Sequence, residues 1–252
     1  MPRFLLTRRW IGFALFVIVL AGVCTRLGFW QIHRLEHRLD SNKVTRQHFA
    51  SDPAPLDQVV ARGKVVPDDQ QWRRVTATGT YDVDHQVTVK FMTRDGAPGV
   101  DVVTPLVLAD GTAVLVDRGW MAADNTGDRP SSIAAPPSGT VTVTGWLRPN
   151  NGAGRDAVTP NDGQVRAISS AGLASFVGRE LRDGFLNLRS QSPKAAESLE
   201  LEPKPDLGQG PHFFYALQWW FFALLALSGY VYFAVVERRE ERQAQARETR
   251  SA

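Results

Sequence analysis

The sequence predicts an α+β protein in which two transmembrane helices flank a mainly antiparallel β extracytoplasmic domain. Three observations carry that expectation. Long uncharged apolar stretches lie near both ends, the residues between them alternate β-branched with polar types, and the 252-residue chain is 43% apolar overall. That content is too low for a polytopic transporter and too high for a disordered chain. The expected segments are a cytoplasmic N-terminus over 1–9, a first span over 10–30, an extracytoplasmic domain over 31–211, a second span over 213–236 and a basic cytoplasmic tail over 237–252.

From Trp10 to Trp30 only Arg26 carries a charge. A helix of that length crosses a hydrocarbon core of about 30 Å, and Arg26 can snorkel from near one end. Phe213 to Val236 is uncharged throughout, with Tyr215, Trp219, Trp220, Tyr230 and Tyr232 toward its ends as interfacial anchors. The first stretch is no removable export signal: Val23 precedes Cys24 where a lipoprotein site needs a small residue, and no Ala-x-Ala follows.

Arg3, Arg8 and Arg9 before the first stretch, and Arg238, Arg239, Arg242, Arg247 and Arg250 after the second, put both termini in the cytoplasm of a bacterial cell membrane. Residues 31–211 hold 20 basic and 22 acidic side chains, so the excess positive charge belongs to the ends. This removes the main support for nucleic-acid binding and makes the lipid bilayer the partner of the basic flanks. A single cysteine, Cys24, excludes an intrachain disulfide and a multi-cysteine metal centre.

Leu27, Trp30, Leu35 and Leu39 keep a helical spacing beyond the first span, so its helix continues to about Arg46 and stops at Asp52-Pro53-Ala54-Pro55. Arg74–Tyr81 and Gln86–Met92 alternate as strands and are expected to form a hairpin across Asp82–His85. Val100–Ala109 and Thr112–Trp120 form a second hairpin, and Asp110-Gly111 between them suits a type I′ turn. Pro105 implies an edge or a bulge. Thr140–Arg148 reads as a strand, Ala171–Arg182 as a helix striped by Leu173, Phe176, Val177 and Leu181, and Phe185–Leu188 as a last strand.

Three sets of residues carry possible chemistry. His33-Arg34-Leu35-Glu36-His37 spells H-x-x-E-H on a helix, the pattern of an inverted zinc peptidase, but it lacks a placed third ligand and carries Arg34 and Arg38 beside the would-be cation. In Asp117-Arg118-Gly119-Trp120, Arg118 offers a fork of donors and Trp120 a large face, which suits recognition; a strand-end ion pair with a core Trp is the alternative. His212 opens the second apolar helix with Tyr215 and Trp219 on its face, where an imidazole can ligate a heme iron sheltered by aromatic rings. No G-x-S-x-G elbow or Gly-rich phosphate loop is present.

Islands of sequence in order along the chain resemble the Surfeit-locus family of cytochrome c oxidase assembly factors. Gly28-Phe29-Trp30-Gln31 with Arg34 resembles its G-x-W-Q-x-x-R, and Gly79-Thr80-Tyr81-Asp82 its G-x-[FY]-D. Val102-Val103-Thr104-Pro105-Leu106 and Val116-Asp117-Arg118-Gly119-Trp120 resemble V-x-T-P-L and V-x-R-G-W, and Gly145-Trp146-Leu147-Arg148 a later G-x-[VL]-R. His212-Phe213-Phe214-Tyr215 with Trp219 resembles H-x-x-Y-x-x-x-W. Two positions depart: Gly210 stands where members often have Asn, and Met121-Ala122-Ala123 where a Pro is common.

The resemblance implies a non-enzymatic assembly factor for an aa3-type heme-copper oxidase that assists delivery of heme a to the catalytic subunit. Its partners would be that subunit and heme-synthesis or other assembly proteins. It carries the heme-iron role onto His212, with Tyr215, Trp219, Trp30 and Gln31 expected to shape the pocket, heme a being a transient cofactor. A scaffold that never touches heme is the competing reading.

Overall fold

The structure is a computed structural model that describes residues 3–124 and 129–251, without the side chains of Arg3, Asp68 and residues 248–251. The basic side chains of Arg3 and Arg250 therefore lie outside the description. The chain divides into two compact units, Met1–Asn42 with Asp206–Ala252, and Lys43–Pro205. The second is narrower at both ends than the expected 31–211.

The first unit is built on two long helices, α1 (Arg8–Ala50) and α5 (His212–Ser251), while the short helices α2 (Leu56–Val59), α3 (Arg155–Val158) and α4 (Ser170–Val177) belong to the second. Helix α1 runs one turn past Arg46 and ends ahead of Pro53, whose ring disfavours helix in the residue before it. Both helices are long and apolar enough to cross a membrane, and only 22% and 6% of their most apolar windows are buried. A core helix of a soluble domain would hide that surface; here Phe16 and Leu224 are each 62% exposed. The helices are antiparallel: Phe29 meets Trp220 edge-on at 5.6 Å, and Trp10 meets Tyr230 at 5.6 Å. Ala21, Cys24 and Ala223 form the contact between them, with Trp219 packed alongside. Small residues let helices approach where no hydrophobic effect drives them together. Trp220 and Tyr230 thus pack against α1 as well as bordering the apolar stretch.

The second unit is one sheet of eight strands: β1 (Ala54–Pro55), β2 (Arg74–Tyr81), β3 (Val87–Arg94), β4 (Ala97–Leu108), β5 (Ala113–Ala122), β6 (Thr140–Arg148), β7 (Gln164–Val165) and β8 (Leu181–Ser192). Their order is β1-β2-β6-β8-β5-β4-β3-β7, and an additional pairing of β2 with β4 closes five of them into a ring. Most neighbours are antiparallel; β5 and β8 run parallel. Alternation along each strand sorts two cores. Val114, Val116, Val143, Leu147 and Leu186 share the inner one, while Leu115, Val103 and Phe185 face outward under helix α4 (Ser170–Val177). Leu173 and Val177 of α4 are buried there, each side chain worth about 1.5–3 kcal/mol.

Three local expectations are corrected. Strands β2 and β3 do not form a hairpin: β2 pairs Gly79–Tyr81 with Leu106–Leu108 of β4, whereas β3 pairs Val87–Val89 with Asp101–Val103. The two lie end to end along one edge of β4. Pro105 sits at the changeover, neither on a free edge nor at the bulge, where its missing N–H leaves nothing unpaired and its carbonyl accepts from Asp82 N. The β4–β5 hairpin forms, but only Gly111 has positive φ (+80°), so the turn is not type I′. Gly111 N donates to Leu108 O and Leu108 N to Thr112 O, a type I turn followed by a left-handed glycine; Asp110 Oδ1 accepts from Thr112 N and Oγ1. Finally, Leu181 and Arg182 belong to a strand: α4 ends at Val177 and β8 reaches Ser192, well past the expected Leu188.

Buried and half-buried arginines tie the loops to this sheet. Arg182, 4% exposed, donates to Asp57, Asp110, Thr112 Oγ1 and Val60 O at 2.6–3.2 Å, clasping the segment after β1 to the β4–β5 turn. Arg94 holds Glu200 O, Leu201 O and Glu202, with Asp101 at 3.6 Å, and draws the segment after β8 onto the Trp120–Glu200 bridge. Phe49 at the end of α1 stacks with Trp72 and Trp146, over which Arg148 and Arg189 lie at 3.8 and 4.2 Å.

Arg182→Ala should lower unfolding free energy by about 3 kcal/mol, because four charge-assisted bonds go at once, and Asp57→Asn by less than about 1, since Asp57 is solvated. Urea titrations of the full chain in detergent, followed by tryptophan fluorescence, separate the two. Burial, reinforced by the Asp101 charge, pushes the Asp117 carboxyl up against the pull of Gly119 N and Asn187; burial also raises Asp101 despite Arg94. The native state then holds protons the unfolded chain has released, so stability falls as pH rises above the ordinary carboxylate range. Asp117→Asn should flatten that fall between about pH 5 and about pH 8 in the same titrations.

Candidate functional site

Helix α1 and the start of α5 build one site from residues far apart in sequence. Arg38 Nε donates to Gly208 O at 2.7 Å and its terminal nitrogen to Asp206 at 3.0 Å; Asn42 Nδ2 donates to Gly208 O at 3.1 Å. These bonds hold the chain leading into α5. Gly210 then turns with φ +67°, a left-handed conformation that Gly and Asn both tolerate. The departure from Asn to Gly at this position therefore keeps the backbone geometry. Pro211 accepts the Tyr215 N–H at 3.1 Å, and the helix begins at His212.

His212 Nδ1 lies 2.9 Å from Gln31 Oε1. An amide oxygen only accepts, so the tautomer that satisfies this contact carries its proton on Nδ1 and keeps the Nε2 lone pair for a ligand. A partner on the second ring nitrogen is how proteins orient metal-binding histidines. The approach depends on Gly28, one turn earlier on α1: a Cβ there would overlap the indole of Trp220.

Of the residues predicted from sequence, the structure brings His212 and Gln31 into contact. Trp30 and Tyr215 are half-exposed at 49% and 47%, and Arg34 covers the Trp30 ring at 5.5 Å. Trp219 is committed to the packing around Ala21, Cys24 and Ala223. His33, Glu36 and His37 are all exposed on α1, and among the described residues no group of three His, Cys, Asp or Glu side chains could hold a metal.

In the β domain, Arg118 and Trp120 are buried at 3% and 9% exposed. Arg118 donates to Gln86 Oε1 at 3.0 Å and Ala134 O at 2.7 Å, and Asp117 bonds Asn187 and Gly119 N instead of Arg118. Trp120 lies beneath Arg94, whose guanidinium is 5.6 Å from the ring centre. Arg38, Asn42, Gly28 and Trp220 went unread as site builders. Gly28 carried no signal that set it apart, since Gly12 and Gly22 lie in the same apolar helix and a Cβ at either meets nothing.

The SURF1 family model matches residues 18–224. SURF1-like proteins of Mycobacterium tuberculosis and Mycobacterium bovis are 34% identical over 253 residues, covering 98% of this chain and 92% of theirs. The cytochrome oxidase assembly protein SHY1 of Saccharomyces cerevisiae is 28% identical over 102 residues, 39% of this chain and 25% of that one.

Gly28→Leu should separate the helices at Trp220 and cost about 1–3 kcal/mol, as overpacking does. Gly22→Leu, where a Cβ meets nothing, serves as control. A lowered thermal midpoint and a shifted tryptophan emission in the first variant only are expected.

Proposed function

The chain belongs to the SURF1 family, and from that premise we propose that it is a membrane-anchored assembly factor for cytochrome oxidase that holds heme a for the catalytic subunit. The assembly role follows the family and the yeast relative named for it. Helices α1 and α5 anchor it in the cell membrane, the basic flanks stay in the cytoplasm and the β domain lies outside. No nucleophile and base are gathered at the His212 site; a carrier needs a donor atom and a surface from which cargo can leave.

The observation that carries the heme reading is the His212–Gln31 contact, which orients the ring through Nδ1 and leaves Nε2 as the candidate donor atom. Heme iron takes axial nitrogen from such a histidine. Half-exposed Trp30 and Tyr215 offer faces for the porphyrin while leaving the site open for release. The heme is cargo here, transiently held.

Purified protein from a host making heme a should show a heme absorption band that His212→Ala abolishes. Gln31→Ala should weaken retention about 10-fold, the usual cost of losing the partner that orients a metal ligand. Retention unchanged in His212→Ala refutes heme ligation at this residue and leaves a scaffold that grips oxidase subunits.

A further inference from the structure

The β domain carries a second cavity that the assembly role does not use. A cleft of about 490 Å³ opens between the end of β8 and the segment 194–201, a size suited to a small-molecule ligand. Its walls mix the apolar Leu188, Leu199 and Leu201 with the cationic Arg118, Arg189 and Lys194, and one acidic residue, the exposed Glu197, so three cations face one carboxylate.

Arg118 is the unusual member. The register of β4 against β5 passes from Val102–Gly119 to Val103–Asp117, so Arg118 is the extra residue of a β-bulge. Bulges re-aim side chains beside functional sites. The side chain is 97% buried by the 3% exposure of the residue, its partners are the uncharged oxygens of Gln86 and Ala134, and its Nε has no hydrogen-bond partner. Among the described residues no carboxylate forms an ion pair with it, whereas the buried Arg182 has two. Burial pulls its pKa down, with only Tyr81 opposing. A buried guanidinium without a counter-charge costs several kcal/mol.

We propose that this cleft binds a carboxylate carried on a small apolar body, the oxyanion supplying the counter-charge that Arg118 lacks and the leucines holding the body. A planar guanidinium matches a carboxylate in shape and charge. Lys194, exposed at the rim, adds attraction, and Arg189 is steadied by its bond to Glu202 O at 2.7 Å. The site lies within the β domain and stands apart from heme retention at His212.

The test uses the full chain in nanodiscs of zwitterionic lipid, titrated calorimetrically with 4-phenylbutyrate, 4-phenylbutanol and inorganic phosphate. Saturable binding of 4-phenylbutyrate is expected, at least 10-fold weaker in Arg118→Gln, weaker in Lys194→Gln, and lost in Ala195→Phe, which narrows the cleft. The alcohol should not bind; phosphate, lacking the apolar body, should compete only at much higher concentration. Since Arg118→Gln can itself unfold the domain, the rim variants Lys194→Gln and Ala195→Phe decide the matter with thermal melts as controls. Equal binding of acid and alcohol, or 4-phenylbutyrate binding unaltered in folded Ala195→Phe, overturns the proposal. Heme retention should be unchanged in these variants, so failure here is distinct from failure of the heme reading.

Discussion

Gln31 meets His212 because two helices from opposite ends of the chain approach closely at a residue with no side chain. The pair is separated by 181 positions in sequence, so nothing local brings them together. Alanines at 21 and 223 and the glycine at 28 remove the bulk that would hold the backbones apart. In a bilayer such a contact would rest on van der Waals packing and aromatic edges, because lipid tails solvate apolar side chains as well as a neighbouring helix does. The hydrogen bonds of Arg38 and Asn42 to the chain before α5 complete the arrangement. Packing of the helices thereby becomes chemistry at one imidazole.

The β domain follows a different logic. Its five-strand ring has an apolar interior, yet several charged groups are buried around it. Arg182 resolves the desolvation cost by saturating its donors. Asp117 resolves it by holding its proton, a neutral acid being cheaper to bury than an anion. Arg118 has neither remedy, and of the three it is the one that lines a cleft. For a buried charge that the described residues leave without a counter-charge, a bound oxyanion is the completion proposed here.

Element type was legible in the sequence wherever a period was sustained: the two apolar helices, Arg74–Tyr81 and Thr140–Arg148 all sit where alternation or length places them. Partners were not. Alternation says that β2 and β3 are strands, but their shared neighbour β4 is chosen by closure of the ring. The Asp-Gly signal marked a tight reversal; a glycine in left-handed conformation serves both turn types, and the Asp110 bond to Thr112 selects between them. Leu181 continued the helical stripe by coincidence, since a buried position in β8 also calls for an apolar residue.

That a histidine heads the second apolar helix was legible in the sequence, whereas its hydrogen-bond partner Gln31, 181 positions away, is a three-dimensional fact. This difference bears on what kind of factor the family can be. A resident cofactor is usually enclosed and held by several groups, which makes release slow. An oriented donor flanked by half-exposed aromatics supplies direction without enclosure. On the proposed heme-carrying reading, such a site would bind through one strong bond whose geometry is prepared in advance and would lose the cargo when a partner offers a better ligand set. On the same reading, the Gln31 contact at Nδ1 would orient Nε2 and so lower the entropy cost of capture without adding contacts that must be broken on transfer.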